Sequence, residues 1–222
     1  MTDVLTDDIA RFVRAAGPDP DETLIEMDEY AAAEGFPHVG PEVGAFLRLV
    51  AQLTGAERIF EFGSGYGYSA YWFAEALPGD GEIVLTEVDA DELELAREYM
   101  AAGGYDAIAR YEHGDAMAAI DRYDGPFDVV LIDHEKHRYA DAFEAVRSRV
   151  PVGGVVIADN AITASVVDFD DLLAWAEGTP ADETNEHTQG IIDYLETVRA
   201  DPAFETVIVP LGEGIAVSYR VE

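Results

Sequence analysis

The 222-residue sequence has no cysteine and one lysine. Without cysteine the chain can form neither disulfides nor thiolate metal sites. No apolar run approaches the roughly 18 to 20 residues of a membrane-spanning helix. Positions 1–8 lack the basic region and apolar core of a secretory signal. A cytoplasmic protein with no membrane partner is therefore expected. Basic side chains are few, 13 Lys and Arg against 46 Asp and Glu, for a net charge of -33. A nucleic-acid backbone needs a basic footprint, so nucleic acid is excluded as a general partner. The acids are scattered through amphipathic segments, which reads as a solvated acidic surface where salt screens self-repulsion. With lysine almost absent beside abundant Asp, Glu and Arg, a halophilic source is expected.

About half the chain is apolar, 49%, enough for a substantial core. Apolar spacing predicts helices over 3–16, 20–34 and 41–53, with Pro20 and Pro41 as openers. From Arg58 onward strands and helices alternate: strands over 58–62, 82–86, 109–113, 127–132 and 155–158, and helices over 68–77, 91–102, 116–123 and 138–149. Such alternation predicts an α/β fold, a mostly parallel sheet covered on both faces. A helix over 188–200 and two strands, 204–209 and 215–219, close the chain as an antiparallel hairpin. The acidic stretch 163–187 is less regular and longer than an ordinary connection, and reads as a lid or binding loop. One domain, 1–222, is expected, with helices of 1–54 packed on a core of 55–222.

Chemistry concentrates at strand ends. Glu61-Phe62-Gly63-Ser64-Gly65-Tyr66-Gly67-Tyr68-Ser69 follows the first strand and opens a helix. Glycines let a backbone approach a ligand, and the helix start offers free N–H groups to an anion. The dinucleotide pattern would need glycine where Tyr68 stands. Glu87 ends the second strand, where an acid can take both ribose hydroxyls of an adenosine. Gly114-Asp115-Ala116 reaches the same sheet edge.

The run Phe127–Ile132 stops on Asp133 and turns into His134-Glu135-Lys136-His137-Arg138-Tyr139, and the next strand ends on Asp159-Asn160. Two carboxylates and an amide at one sheet edge make an oxygen cage suited to a hard cation such as Mg2+. The chain's only lysine, Lys136, stands three positions beyond Asp133. A lysine amine can be deprotonated in a tuned site, whereas a guanidinium cannot.

Together these motifs resemble the class I S-adenosylmethionine-dependent O-methyltransferases of the divalent-metal type, the group of catechol and caffeoyl-CoA-like enzymes. Asp133–Tyr139 resembles D-H-W-K-D-R-Y, Ala158-Asp159-Asn160 its A-D-N, and Glu61 to Ser69 its E-L-G-x-x-x-G-Y-S. Val39 to Gly44 resembles V-G-x-x-x-G, and Pro210-Leu211-Gly212-Glu213-Gly214 resembles P-x-G-D-G. The resemblance covers about residue 36 to the end. It implies a Rossmann-like methyltransferase fold with a seven-stranded sheet. It also implies S-adenosyl-L-methionine as donor, Mg2+ held by Asp133, Asp159 and Asn160, and Lys136 as general base. Val39, Tyr68 and Ser69 would flank the methionine carboxylate, Glu87 would take the ribose, and Ala116 and His134 would border the adenine. Glu61, Gly63, Gly65, Gly67, Val88, Asp115 and Asp133 complete the implied cofactor-binding set. His38 is placed beside the cofactor by position.

The acceptor would be a small vicinal-diol or catechol-like molecule, and the family implies a homodimer. Departures from the pattern fall on the acceptor side. The motif tryptophan is Glu135, the aromatic before Val39 falls at Gly35, and the proline after A-D-N falls at Ala164. Rebuilt walls are expected from Phe36, Trp175 or Tyr194, with Glu183 or Glu186 of the lid near the acceptor. Two rivals are a metal-independent methyltransferase of the same fold and a non-catalytic protein that only binds the donor.

Overall fold

A computed structural model of the protein describes residues 4–222; the first position of the helix expected over 3–16 lies outside them. Seven strands form one sheet in the order β3-β2-β1-β4-β5-β7-β6. They are β1 Arg58–Phe62, β2 Glu82–Glu87, β3 Ala109–His113, β4 Val129–Ile132, β5 Val155–Ala158, β6 Phe204–Val209 and β7 Ile215–Arg220. The first five run parallel. β7 inserts antiparallel between β5 and β6, so the expected mostly parallel sheet with a closing hairpin is what is found.

Central strands are apolar on both faces because both faces are covered. Ile59, Ile83, Leu85, Val129 and Leu131 point into one layer with residues of α2 (Glu22–Glu34), α3 (Gly40–Thr54), α4 (Tyr68–Ala74) and α5 (Ala90–Ala102). Phe60, Phe62, Val84, Val130 and Ile132 point into the other with α6 (Ala116–Ile120), α7 (Tyr139–Val146) and α9 (Glu186–Ala200). Helix α1 (Asp7–Ala16) buries no residue and is tied to α3 by Arg14 and Glu42, 2.5 Å apart. The strand order reverses between β1 and β4, which opens a crevice outside their carboxyl ends.

Several boundaries move for local reasons. α2 opens at Glu22 rather than Pro20, because the Asp21 carboxylate caps it by accepting from the Leu24 amide at 2.8 Å. β4 starts two residues late because Asp128 turns its carboxylate to the Glu57 and Arg58 amides, 2.8 and 2.9 Å away. The helix expected over 138–149 becomes a 3-10 turn, Lys136–Arg138, running into α7. The stretch 163–187, expected to be irregular, contains α8 (Phe169–Ala176), capped by Asp168. α9 starts at Glu186 under an Asn185 cap.

α9 presses unusually close to the 3-10 turn. Gly190 permits this, since a Cβ there would collide with the Lys136 carbonyl oxygen and the His137 backbone.

Candidate active site

The crevice deepens into a cavity of about 840 Å3. Its floor is the loop after β1. Gly63 has φ +80°, and a Cβ there would stand 2.5 Å from the Asp133 carbonyl oxygen, so the glycine lets this loop lie against the end of β4. Glu87 fastens the loop from the side. One carboxylate oxygen accepts from the Gly65 amide at 2.9 Å, the other from the Val88 and Asp89 amides at 2.7 and 3.0 Å. Gly67, at φ +87°, turns away from the cavity and packs on Ala96 of α5.

Val39, Tyr68 and Ser69 line one flank of the cavity. The His38 ring stands edge-on to Tyr68 at 4.6 Å and bonds Asp28 at 2.9 Å. On another flank Asp115 caps α6 through the Met117 amide at 2.9 Å and pairs with Arg138 at 3.0 Å. His134 stacks on Tyr139 with ring centres 5.6 Å apart and planes 10° apart, and neither ring nitrogen has a partner. Burial pushes its pKa down to about 4, so the ring is neutral at pH 7.

The remaining wall holds the charged cluster. Lys136 Nζ donates to Asp133 Oδ1 at 3.0 Å and to the Tyr139 hydroxyl at 2.7 Å. Asp159 is 5% exposed, and its Oδ1 finds no partner in the protein. Burial, then the charge of Asp133, holds the Asp159 carboxyl well above the usual carboxylate range. Burial raises Asp133 too, against the opposing pull of Lys136. Asn160 takes the left-handed region, φ 58°, and its amide nitrogen donates to Glu213. That leaves the amide oxygen free to accept.

Among the described residues, no three His, Asp or Glu side chains converge into a metal cluster. The set here is two carboxylates and an amide oxygen, one carboxylate oxygen being buried without a partner. Hard oxygen donors that repel each other until a cation arrives fit Mg2+.

The structure gathers the sequence-derived candidates into this one cavity, apart from Glu61 and Gly67. Glu61 lies fully buried beneath the loop beside Ser69, and burial raises its pKa to about 8. Of the expected acceptor walls, Phe36 faces the cavity, edge-on to Tyr66 at 4.9 Å. Trp175 and Tyr194 do not. The Trp175 indole N–H donates to Glu196 at 2.9 Å, because α8 packs outward on α9. Tyr194 is wholly buried between Tyr139 and Phe143. From the stretch 163–187 only Ala164, Ser165 and Val166 reach the cavity, so neither Glu183 nor Glu186 lines it.

Glu92 and Glu213 were not foreseen as cavity residues. Glu92 rises to about 7 through burial and then the charges of Glu87 and Asp89. Glu213 follows from topology: β7 runs antiparallel to β5, so the β6–β7 link must return to the sheet edge where Asp159 stands.

The comparisons agree with this geometry. An O-methyltransferase family profile matches residues 19–221. The catechol O-methyltransferase of Niastella koreensis is 34% identical over 64% of this chain and 67% of its own length. The caffeoyl-CoA O-methyltransferase of Petroselinum crispum is 24% identical over 92% of this chain and 86% of its own. The crystal structure of the O-methyltransferase from Bacillus cereus in complex with SAH superposes with a TM-score of 0.82 at 24% identity, covering 96% of this chain and 97% of that one. With the family profile spanning nearly its whole length, the chain belongs to the O-methyltransferase family.

Proposed function

We propose that this chain transfers a methyl group from S-adenosylmethionine to one hydroxyl of a small vicinal-diol or catechol-like acceptor, with a divalent cation bound by Asp133, Asp159 and Asn160. The observation that carries this reading is the shared cavity. The glycine loop with its Glu87 clasp and the Asp133–Lys136–Asp159–Asn160 cluster open into the same space. The SAH bound to the Bacillus cereus relative is the product of methyl donation by S-adenosylmethionine and supports that donor. So does charge, since a sulfonium and an ammonium against one carboxylate make the donor a net cation for an acidic cavity.

Bound Mg2+ would polarise a coordinated hydroxyl and lower its pKa. The residues of the chain do the rest. Lys136 Nζ takes the hydroxyl proton, the oxygen attacks the methyl carbon, and the carbon–sulfur bond breaks with its electron pair returning to sulfur. Gly63 and Gly65 let the backbone approach the donor, Val39, Tyr68 and Ser69 flank its methionine carboxylate, and Glu87 faces its ribose. Val88, Asp115, Ala116 and His134 surround its base. Holding both reactants in one enclosure converts a bimolecular step into an effectively unimolecular one, worth about 7 to 11 kcal/mol at best.

The test is methyl transfer to a panel of vicinal diphenols in high salt, with Mg2+ and with EDTA. Transfer that requires the cation supports the reading. Equal turnover in EDTA would refute the metal role.

A further inference from the structure

The charges around the cavity say which acceptors it can hold. Seven carboxylate side chains line it against two basic side chains, Lys136 and Arg138. Both are already engaged. Lys136 is held by Asp133 and Tyr139. Arg138 meets Asp115 at 3.0 Å and Glu135 at 3.8 Å. A cation bound by Asp133 and Asp159 would still leave Glu135 and Glu213 facing the space.

The surface beyond offers no relief. Among the described residues, every other arginine pairs with a carboxylate except Arg199 and Arg220. Arg220 spends its guanidinium on backbone carbonyls, and Arg199 lies over Trp175, which does not line the cavity. Among the described residues, a polyanionic tail, such as the phosphates of a CoA thioester, would meet no uncommitted cation at the cavity, on a chain of net charge -33. Placing like charges together at a binding site disfavours the partner that brings them, and an opposite charge speeds encounter.

We infer that the acceptor is a free vicinal diphenol whose arm is neutral or carries an amine, and not an acyl-CoA thioester or a carboxylate-bearing diphenol. This deepens the proposed methyl transfer and rests on it.

The experiment compares catechols that carry an ethyl, an aminoethyl or a carboxymethyl arm, together with caffeoyl-CoA. All are assayed with S-adenosylmethionine and Mg2+ in the lowest salt at which circular dichroism shows the fold intact, and donor binding is followed separately by calorimetry. The expected order of kcat/KM is aminoethyl, ethyl, carboxymethyl, then the thioester, with the amine ahead of the carboxylate by about tenfold or more. Added salt should compress that spread. A carboxylate or thioester acceptor that equals or exceeds the ethyl compound overturns the inference while leaving methyl transfer standing. Donor binding without transfer to any of the four overturns the functional reading itself, and the inference with it.

Discussion

The Lys136 amine lies 2.7 Å from the Tyr139 hydroxyl and 3.0 Å from Asp133 Oδ1. The Tyr139 ring cannot drift, since it is fully buried between His134, stacked at 5.6 Å, and Tyr194, edge-on at 5.9 Å. Two of the three directions around the amine nitrogen are thus taken, and in the proposed reaction the third serves the acceptor.

Tyr139→Phe keeps the ring and removes the hydroxyl. It should lower kcat by about tenfold with donor affinity unchanged, whereas Lys136→Arg should cost about 10² to 10⁴. The chain's only lysine makes the cause directly visible. With 13C-lysine, a single Cε signal should report a fixed amine in the parent and an averaged one in Tyr139→Phe. Unchanged kcat and an unchanged signal would remove Tyr139 from this role.

Mg2+ should stabilise the fold. Asp133 and Asp159 are raised by burial, and the charge of Asp133 adds to the difficulty of ionising Asp159. A cation that binds only the native state at a hundred times its Kd adds about 2.7 kcal/mol. Melting temperature should therefore rise with Mg2+, and Asp159→Asn should erase the rise. An equal rise in that variant would place the cation elsewhere.

Glu61 sets a pH dependence. Its carboxyl is raised from 4.5 to about 8, chiefly by burial. The native state therefore holds a proton that the unfolded chain gives up above about 4.5. Stability from this group is complete below that pH and is lost as pH climbs toward 8. In EDTA, denaturant titrations should show Glu61→Gln flattening the decline between those limits. A parent and variant with parallel pH profiles would refute this.

Gly190→Ala should impair catalysis by displacing the turn that carries Lys136, although Gly190 itself does not line the cavity. The added methyl would meet the carbonyl of Lys136. Overpacking of this kind costs about 1 to 3 kcal/mol. Melting temperature and kcat should fall together, while donor affinity, set mainly on the far side of the cavity, should hold.

What could be read from the sequence was whatever lay contiguous along it. Asp133 to Tyr139, Asp159-Asn160 and the glycine loop each end a buried strand, and a parallel sheet brings such ends together. Glu213 escaped because it becomes a neighbour of Asn160 only through the antiparallel insertion of β7, 53 positions away along the chain. Trp175 and Tyr194 misled because residue type does not reveal which side of a helix meets the cavity. Gly67 and Glu61 belong to the glycine motif but serve its underside, where packing on Ala96 and burial beside Ser69 decide their roles.

Lys136 keeps 12% of its side chain accessible, and that opening lies on the cavity. Apart from the amino terminus, an amine-directed reagent meets no other target on this chain. Each tag on Lys136 would then record one chamber visited while vacant, and mass added beyond the amino-terminal tag would count empty sites in a mixed population. Occupied chambers would stay unmarked, so a mass spectrum alone could rank candidate acceptors without any turnover assay.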